Sequence, residues 1–477
     1  MTRSRRLPPF ALGGIGMTTL ALPATAQAHG IIGKADLPIP VWLFSWTAAV
    51  VLVVSFVALS TLWRTPQLQS EHRHRLFKLP TVLARLASVA GIGLFALVLY
   101  SGFSGAQVAT ANFSVTFIYV IFWVGLPVAS VLFGDVFSAL SPWRSCARAI
   151  RWVGRRVAPE RFARTWLRYP ARLGVWPAVV GLIGFAWLEL VYVPADRDHP
   201  ATLAALSLAY FLVMLAGMAL FGVEEWGEQA DGFGVYFKLL SRISALYGGE
   251  EGVVYRRRLL SGLPDMPIRA GTLALVCTVI GTTTFDGLSN GGLWRTSEPE
   301  LQSLFASIGF NVTPAVELTY SLGLVACVLL VAGVYRLGIA GVHGVNRQHS
   351  MSELSHSFAH TLVPIGFAYV LAHYFSLLIW QGQAIAFLAS DPLGNGANIF
   401  GTASYQIDYS IVSYAAIWYV QVAALVAGHV AGLALAHDRA LSIYSDGREA
   451  IRSQYWMLAV MVAFTSFGLW LLSSVGT

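Results

Sequence analysis

The sequence predicts an all-α membrane protein, a polytopic bundle of about ten transmembrane helices behind a cleaved signal peptide. Composition is the first reason. The 477 residues are 56% hydrophobic and 12% charged, about half the roughly 25% charge of a soluble domain. Such a chain cannot cover a water-facing globule. Patterning is the second reason: long apolar runs alternate with short polar connections, which is how membrane helices read. The third is where the charge falls, taken up after the spans.

The chain opens Met-Thr-Arg-Ser-Arg-Arg, continues through an apolar stretch from Phe10 to Leu22 and reaches Ala26-Gln27-Ala28. That order is a secretory signal peptide, residues 1–28, with an A-x-A cleavage site. Cleavage after Ala28 leaves His29 at the mature N-terminus. Its α-amine and imidazole would form a chelate suited to copper or a similar ion.

Apolar runs predict spans near 41–63, 86–103, 115–133, 174–194, 202–222, 270–285, 315–336, 359–380, 411–436 and 455–475. All belong to one domain, 29–477. The sixth is short for a bilayer and calls for thinning or polar neighbours. Signal cleavage places residue 29 outside, and an even span count returns the C-terminus to the same side. All lysines and arginines of the mature chain except Lys34, Arg197 and Arg295 then fall on the inside. The positive-inside rule is met in every loop, so a bacterial inner membrane is expected. This also accounts for a pI of about 9.4 without nucleic acid. Two inner segments, 143–168 and 231–247, mix aromatics with Arg and Lys and read as helices lying at the headgroup level against membrane lipid.

Cys146, Cys277 and Cys327 form no CxxC pair and read as small apolar residues. The sequence has no P-loop, GxSxG elbow, HExxH or CxxCH, which disfavours nucleotide-driven work, serine-hydrolase chemistry and attached haem.

Ionisable residues inside spans mark function by default. Glu189 and His373 lie at similar depth, each ~20 Å from the inner end of its span by the helical rise, and Glu317 enters from the outer end of the seventh span. Asp286, just past the sixth span, and Asp408, in a Gly-rich outer loop of about thirty residues, add carboxylates on the same side. His29, Glu189, Glu317 and His373 are therefore the candidate ligands of a divalent metal. Asp286 or Asp408 is the candidate general base. His360 and His429 form a second, inner group.

Several strings then look familiar. They are His29-Gly-Ile-Ile-Gly-Lys-Ala-Asp-Leu-Pro-Ile-Pro, Phe133-Gly-Asp-Val-Phe-Ser-Ala-Leu-Ser-Pro-Trp-Arg144, Thr284-Phe-Asp-Gly287, Phe358-Ala-His-Thr-Leu-Val-Pro364, Ala372-His-Tyr-Phe375 and Ala436-His-Asp-Arg-Ala440. Together they resemble the bacterial membrane proteins called fenitrothion hydrolases, over nearly the whole mature chain. The resemblance implies an aryldialkylphosphatase that splits an organophosphorus triester into a nitrophenol and a dialkyl thiophosphate, with an accessory protein subunit among the implied partners. It assigns a role to no residue.

The residues read by themselves agree with that activity. A neutral, greasy triester partitions into a bilayer, and a His/carboxylate metal site supplies a Lewis acid and an activated water. The same residues also fit an ion path, so metal-ion transport, copper-like, is the competing class. A subunit of a larger membrane complex is the third.

Overall fold

A computed structural model of the protein describes residues 41–69, 73–162, 165–192, 197–249, 252–345 and 347–474. The signal-peptide reading and His29 lie outside these residues.

Among the described residues, ten helices are long and apolar enough to cross a membrane. They are span 1 (Val41–Leu62), span 2 (Thr81–Ser104), span 3 (Phe113–Phe133), span 4 (Ala171–Leu190), span 5 (Pro200–Phe221), span 6 (Thr272–Ser289), span 7 (Val312–Val345), span 8 (Met351–Ser390), span 9 (Tyr414–Ile443) and span 10 (Gly447–Ser474). The protein is thus a multi-pass α-helical membrane protein. The exposed sides of the outer helices are apolar (Val50, Val54, Val89, Val180, Leu212 and Leu329, for example), the inverse of a soluble bundle and the surface that lipid requires.

Span 6 is short because it is central. It packs against spans 4, 7, 8 and 10, and its residues from Leu275 to Gly287 are all buried. Protein rather than lipid surrounds it, so no bilayer thinning is needed. Span 8 starts earlier than hydropathy suggests, at Met351. A capping box opens it: Glu353 N–H donates to Ser350 Oγ at 3.2 Å, and Ser350 N–H donates to Glu353 Oε2 at 2.8 Å. The helix tightens to a 3₁₀ turn at Ala359–Thr361. Pro364 has no N–H to offer the carbonyl of His360, four residues back.

Spans 8 and 9 cross closely on a small-xxx-small pair, Gly428 and Gly432. A Cβ on Gly428 would lie 2.2 Å from the Ala368 methyl and 2.8 Å from the Pro364 carbonyl oxygen. Gly428→Val is expected to push the two helices apart and to lower the unfolding temperature of the purified protein by several degrees, an overpacking penalty of ~1–3 kcal/mol. An unchanged melting curve would show that the crossing is loose.

One inner segment departs from expectation. Residues 231–247 do not lie along a membrane surface. Gly222, at φ +98°, turns the chain at the end of span 5. Helix Val223–Gln229 climbs back beside span 5, the chain turns at Ala230-Asp231, and helix Gly232–Ser241 returns. Eight of the ten residues of the second arm are buried, Tyr236 and Phe237 at 0% exposed. Phe233 rests on Phe122 and Trp123 of span 3, Phe185 of span 4 and Tyr210 of span 5, residues at or near the midpoints of those spans. This is a re-entrant hairpin. Its turn is held by Asp231, which accepts from Trp143 Nε1 at 2.7 Å and Tyr210 Oη at 2.8 Å. Non-helical backbone at membrane depth is tolerated where protein encloses it, as here. The segment ends in strand Leu246–Gly248, part of a three-stranded antiparallel sheet with His74–Lys78 and Val253–Arg256.

The other inner segment fits its reading better. Helix Pro142–Val157 buries Trp143, Arg144 and Ala147 and leaves Ile150, Trp152, Val153 and Val157 exposed. Burial works to raise the Glu224 carboxyl, but bonds from Arg148 and Arg144 outweigh it and hold the group below the usual glutamate range.

Candidate functional site

Asp286 is the centre of the site. It is 0% exposed, in the last turns of span 6 rather than in the outer loop the sequence suggested. Two donors from span 8 converge on its Oδ2: His373 Nε2 at 2.8 Å and Tyr374 Oη at 2.7 Å. Asn290, one turn on, donates from Nδ2 to the Asp286 carbonyl at 2.8 Å. Neighbouring residues on a helix point ~100° apart, so His373 and Tyr374 share one oxygen because Asp286 sits in the groove between their directions. A carboxylate only accepts, so His373 carries its proton on Nε2 when the imidazole is neutral, which leaves the lone pair on Nδ1.

Glu189 of span 4 is buried and interacts electrostatically with Asp286 and Tyr374. Beside His373 is a void of about 20 Å³, lined by Thr283, Gly287, Tyr369, Leu425, Gly468 and Leu471 among others. That is room for about one water. Span 10 approaches it on Gly468, where a Cβ would lie 2.3 Å from Tyr369 Oη.

The other candidates do not join. Glu317, in the first turns of span 7, is half-buried and makes no hydrogen bond or ion pair with the cluster among the described residues. Gly281 of span 6 faces Val328 of span 7. By helical rise Glu317 then sits ~9 Å beyond the level of Asp286, and that offset keeps it out of the cluster. Asp408 is exposed and closes a turn: its Oδ1 accepts from Ser410 N–H at 2.8 Å and Ser410 Oγ at 2.6 Å, which hold its carboxyl below the usual aspartate range. The turn occupies Oδ1, and Asp408 makes no hydrogen bond with the Asp286 cluster among the described residues. Its loop is also not structureless. Helix Ala384–Ser390 and the following turns fold over the span 2–span 3 connection, with Ala106 N–H donating to Leu393 at 2.7 Å.

His360 and His429 are both buried. His429 Nδ1 meets the Leu425 carbonyl at 2.7 Å, and neither His429 Nε2 nor His360 Nε2 has a hydrogen-bond partner among the described residues. Among those residues no group of three or more His, Cys, Asp and Glu side chains is arranged to hold a metal ion.

Two buried polar residues escaped the sequence reading, one in the cluster and one in a structural joint. Tyr374 stands next to His373 in Ala372-His-Tyr-Phe375, and a tyrosine inside a span beside an ionisable residue was the available signal. Asp438, 0% exposed, accepts from Trp63 Nε1, Gln67 N–H, Leu68 N–H and Gln69 Nε2. It joins the end of span 1 to span 9, and no local pattern announces it.

No protein-family model matches the chain, and no curated protein or solved structure matches it. Fold and site define a class: a multi-pass α-helical membrane protein with an Asp–His–Tyr cluster buried near one end of its central helix.

Proposed function

We propose that the chain is a hydrolase of neutral organophosphorus triesters in a bacterial inner membrane, with its arginine-rich end in the cytoplasm and the Asp286 cluster in the outer half of the bilayer. The observation that carries the proposal is the Asp286–His373 hydrogen bond beside a void the size of one water. In this reading Asp286 fixes the imidazole, and His373 Nδ1 takes a proton from that water as its oxygen attacks phosphorus. The P–O(aryl) bond breaks, and the nitrophenolate leaves with little need of an acid. Tyr374 holds the second lone pair of Asp286 Oδ2 and keeps the carboxylate in register. The positive-inside distribution supports the orientation, and the resemblance of the quoted strings to fenitrothion hydrolases supports the substrate class. A metal ion, if His29 brings one, would add Lewis-acid polarisation.

The void takes a water and not a triester, so substrate reaches His373 where spans 6, 8 and 10 part. The same size favours a second reading, metal-ion transport, in which a small ion passes the cluster and the buried imidazole of His429 below it.

The test uses membranes from a bacterium without triesterase activity that expresses the chain. A nitrophenyl phosphorothioate is added and nitrophenolate followed, with and without chelator. Wild-type membranes are expected to release nitrophenolate, and His373→Ala to reduce the rate at least ~10²-fold without loss of folded protein. Folded wild-type protein with no release, joined to metal uptake by proteoliposomes, would replace the hydrolase with the transporter.

A further inference from the structure

At the arginine-rich end, away from the Asp286 cluster, a cavity of about 930 Å³ opens between helix Pro142–Val157, the segment Thr165–Ala171 and the start of the re-entrant hairpin. Five arginines line it (Arg148, Arg151, Arg155, Arg156 and Arg168) against two carboxylates, Glu224 and Glu225. Arg148 is bound to Glu224, which Arg144 also holds. Arg156 lies over the Trp152 ring at 3.8 Å, and Arg155 Nε donates to the Phe162 carbonyl, at 3.4 Å. Arg151 and Arg168 make no ion pair among the described residues. The surplus is therefore cationic and uncompensated. Guanidinium groups converging on one space match phosphate oxygens, often two bonds at a time.

The surroundings indicate where the phosphate comes from. Trp152, Val153, Val157 and Trp166 are at least half exposed beside the cavity, an apolar flank joined to a basic one as on helices at a membrane surface. We propose that this cavity binds the headgroup of an anionic phospholipid with two phosphates, its acyl chains following the exposed Trp152 and Trp166 flank. Basic pockets between helices at the cytoplasmic side are suited to such headgroups. A soluble polyphosphate would use the charges but leave the apolar flank bare. The cavity volume also exceeds what one phosphate fills.

Full-length protein, delipidated in a maltoside detergent, tests this by thermal unfolding and native mass spectrometry. Cardiolipin is expected to raise the melting temperature by several degrees and to remain bound in the gas phase. Phosphatidylcholine and inorganic tripolyphosphate are expected to do neither. Arg151→Gln/Arg168→Gln is expected to abolish the cardiolipin shift. These two arginines hold no ion pair among the described residues, so the apo melting curve should stay near wild type. Should that pair fail to fold, Arg155→Gln/Arg156→Gln examines the same cavity. Tripolyphosphate stabilising as much as cardiolipin would make this a soluble-anion site and overturn the lipid proposal. A full cardiolipin shift in the folded Gln variants would overturn the site itself.

Discussion

Asp286→Ala is expected to lose both stability and function, and Asp286→Asn to lose function alone. In the wild type one oxygen takes two buried donors, from His373 and Tyr374. Alanine leaves both buried donors without their acceptor. Each orphaned buried donor costs roughly 1–3 kcal/mol, so the net loss is ~2–5 kcal/mol, read as a drop in the midpoint of tryptophan-fluorescence unfolding in micelles. Asparagine keeps the volume, and its amide oxygen can stand where Oδ2 stood. It holds no negative charge, so it does not stabilise the imidazolium that forms when His373 takes the proton. On the hydrolase reading the rate falls at least ~10²-fold in both variants. An Asp286→Ala protein with a wild-type midpoint would show that the cluster is not the closed, hydrogen-bonded unit described.

Asp438 should behave in the opposite way toward asparagine. Its two oxygens accept from four donors, two backbone N–H groups and two side chains, at 2.5–3.1 Å. Asparagine has one oxygen and would turn an NH₂ toward two donors, so Asp438→Asn is expected to be nearly as damaging as Asp438→Ala. Gln67 and Gln69 reach solvent and rehydrate when released. The loss falls mainly on Trp63 and Leu68, for about 2–4 kcal/mol. His437 Nε2, against the Trp63 carbonyl at 2.9 Å, holds part of the joint in place. The expected signs are a lowered unfolding midpoint and faster trypsin cleavage at Arg64 or Arg73 in detergent micelles. Equal cleavage in wild type and Asp438→Ala would mean that span 1 is held by other contacts.

The contrast between the two aspartates shows what sequence could and could not say. Ten spans were legible because membrane insertion reads local hydropathy: a run of apolar residues is the same signal whatever lies beside it. The depth of Glu189 and His373 was legible for the same reason, since rise per residue is constant. Which face of each helix turns inward is not a local property, and that decided the site. Glu317 and Asp286 both come from helix ends on one side. Only the packing of span 6 among spans 4, 7, 8 and 10 brings Asp286 to His373 and leaves Glu317 aside. Asp408 had the right side of the membrane and the right chemistry, but the turn at Ser410 already uses its carboxylate. Residues 231–247 carry the composition of an interfacial helix, aromatic with a few charges. A helix of ten residues is too short for hydropathy to place, and only the aromatic contacts with spans 3, 4 and 5 show that it enters the bundle. The sequence by itself thus determined the membrane class, the number of crossings and the level of the buried ionisable groups, all set by local transfer free energy. The tertiary structure alone decided which of those groups touch, because contact between helices depends on rotation and crossing, to which every span contributes.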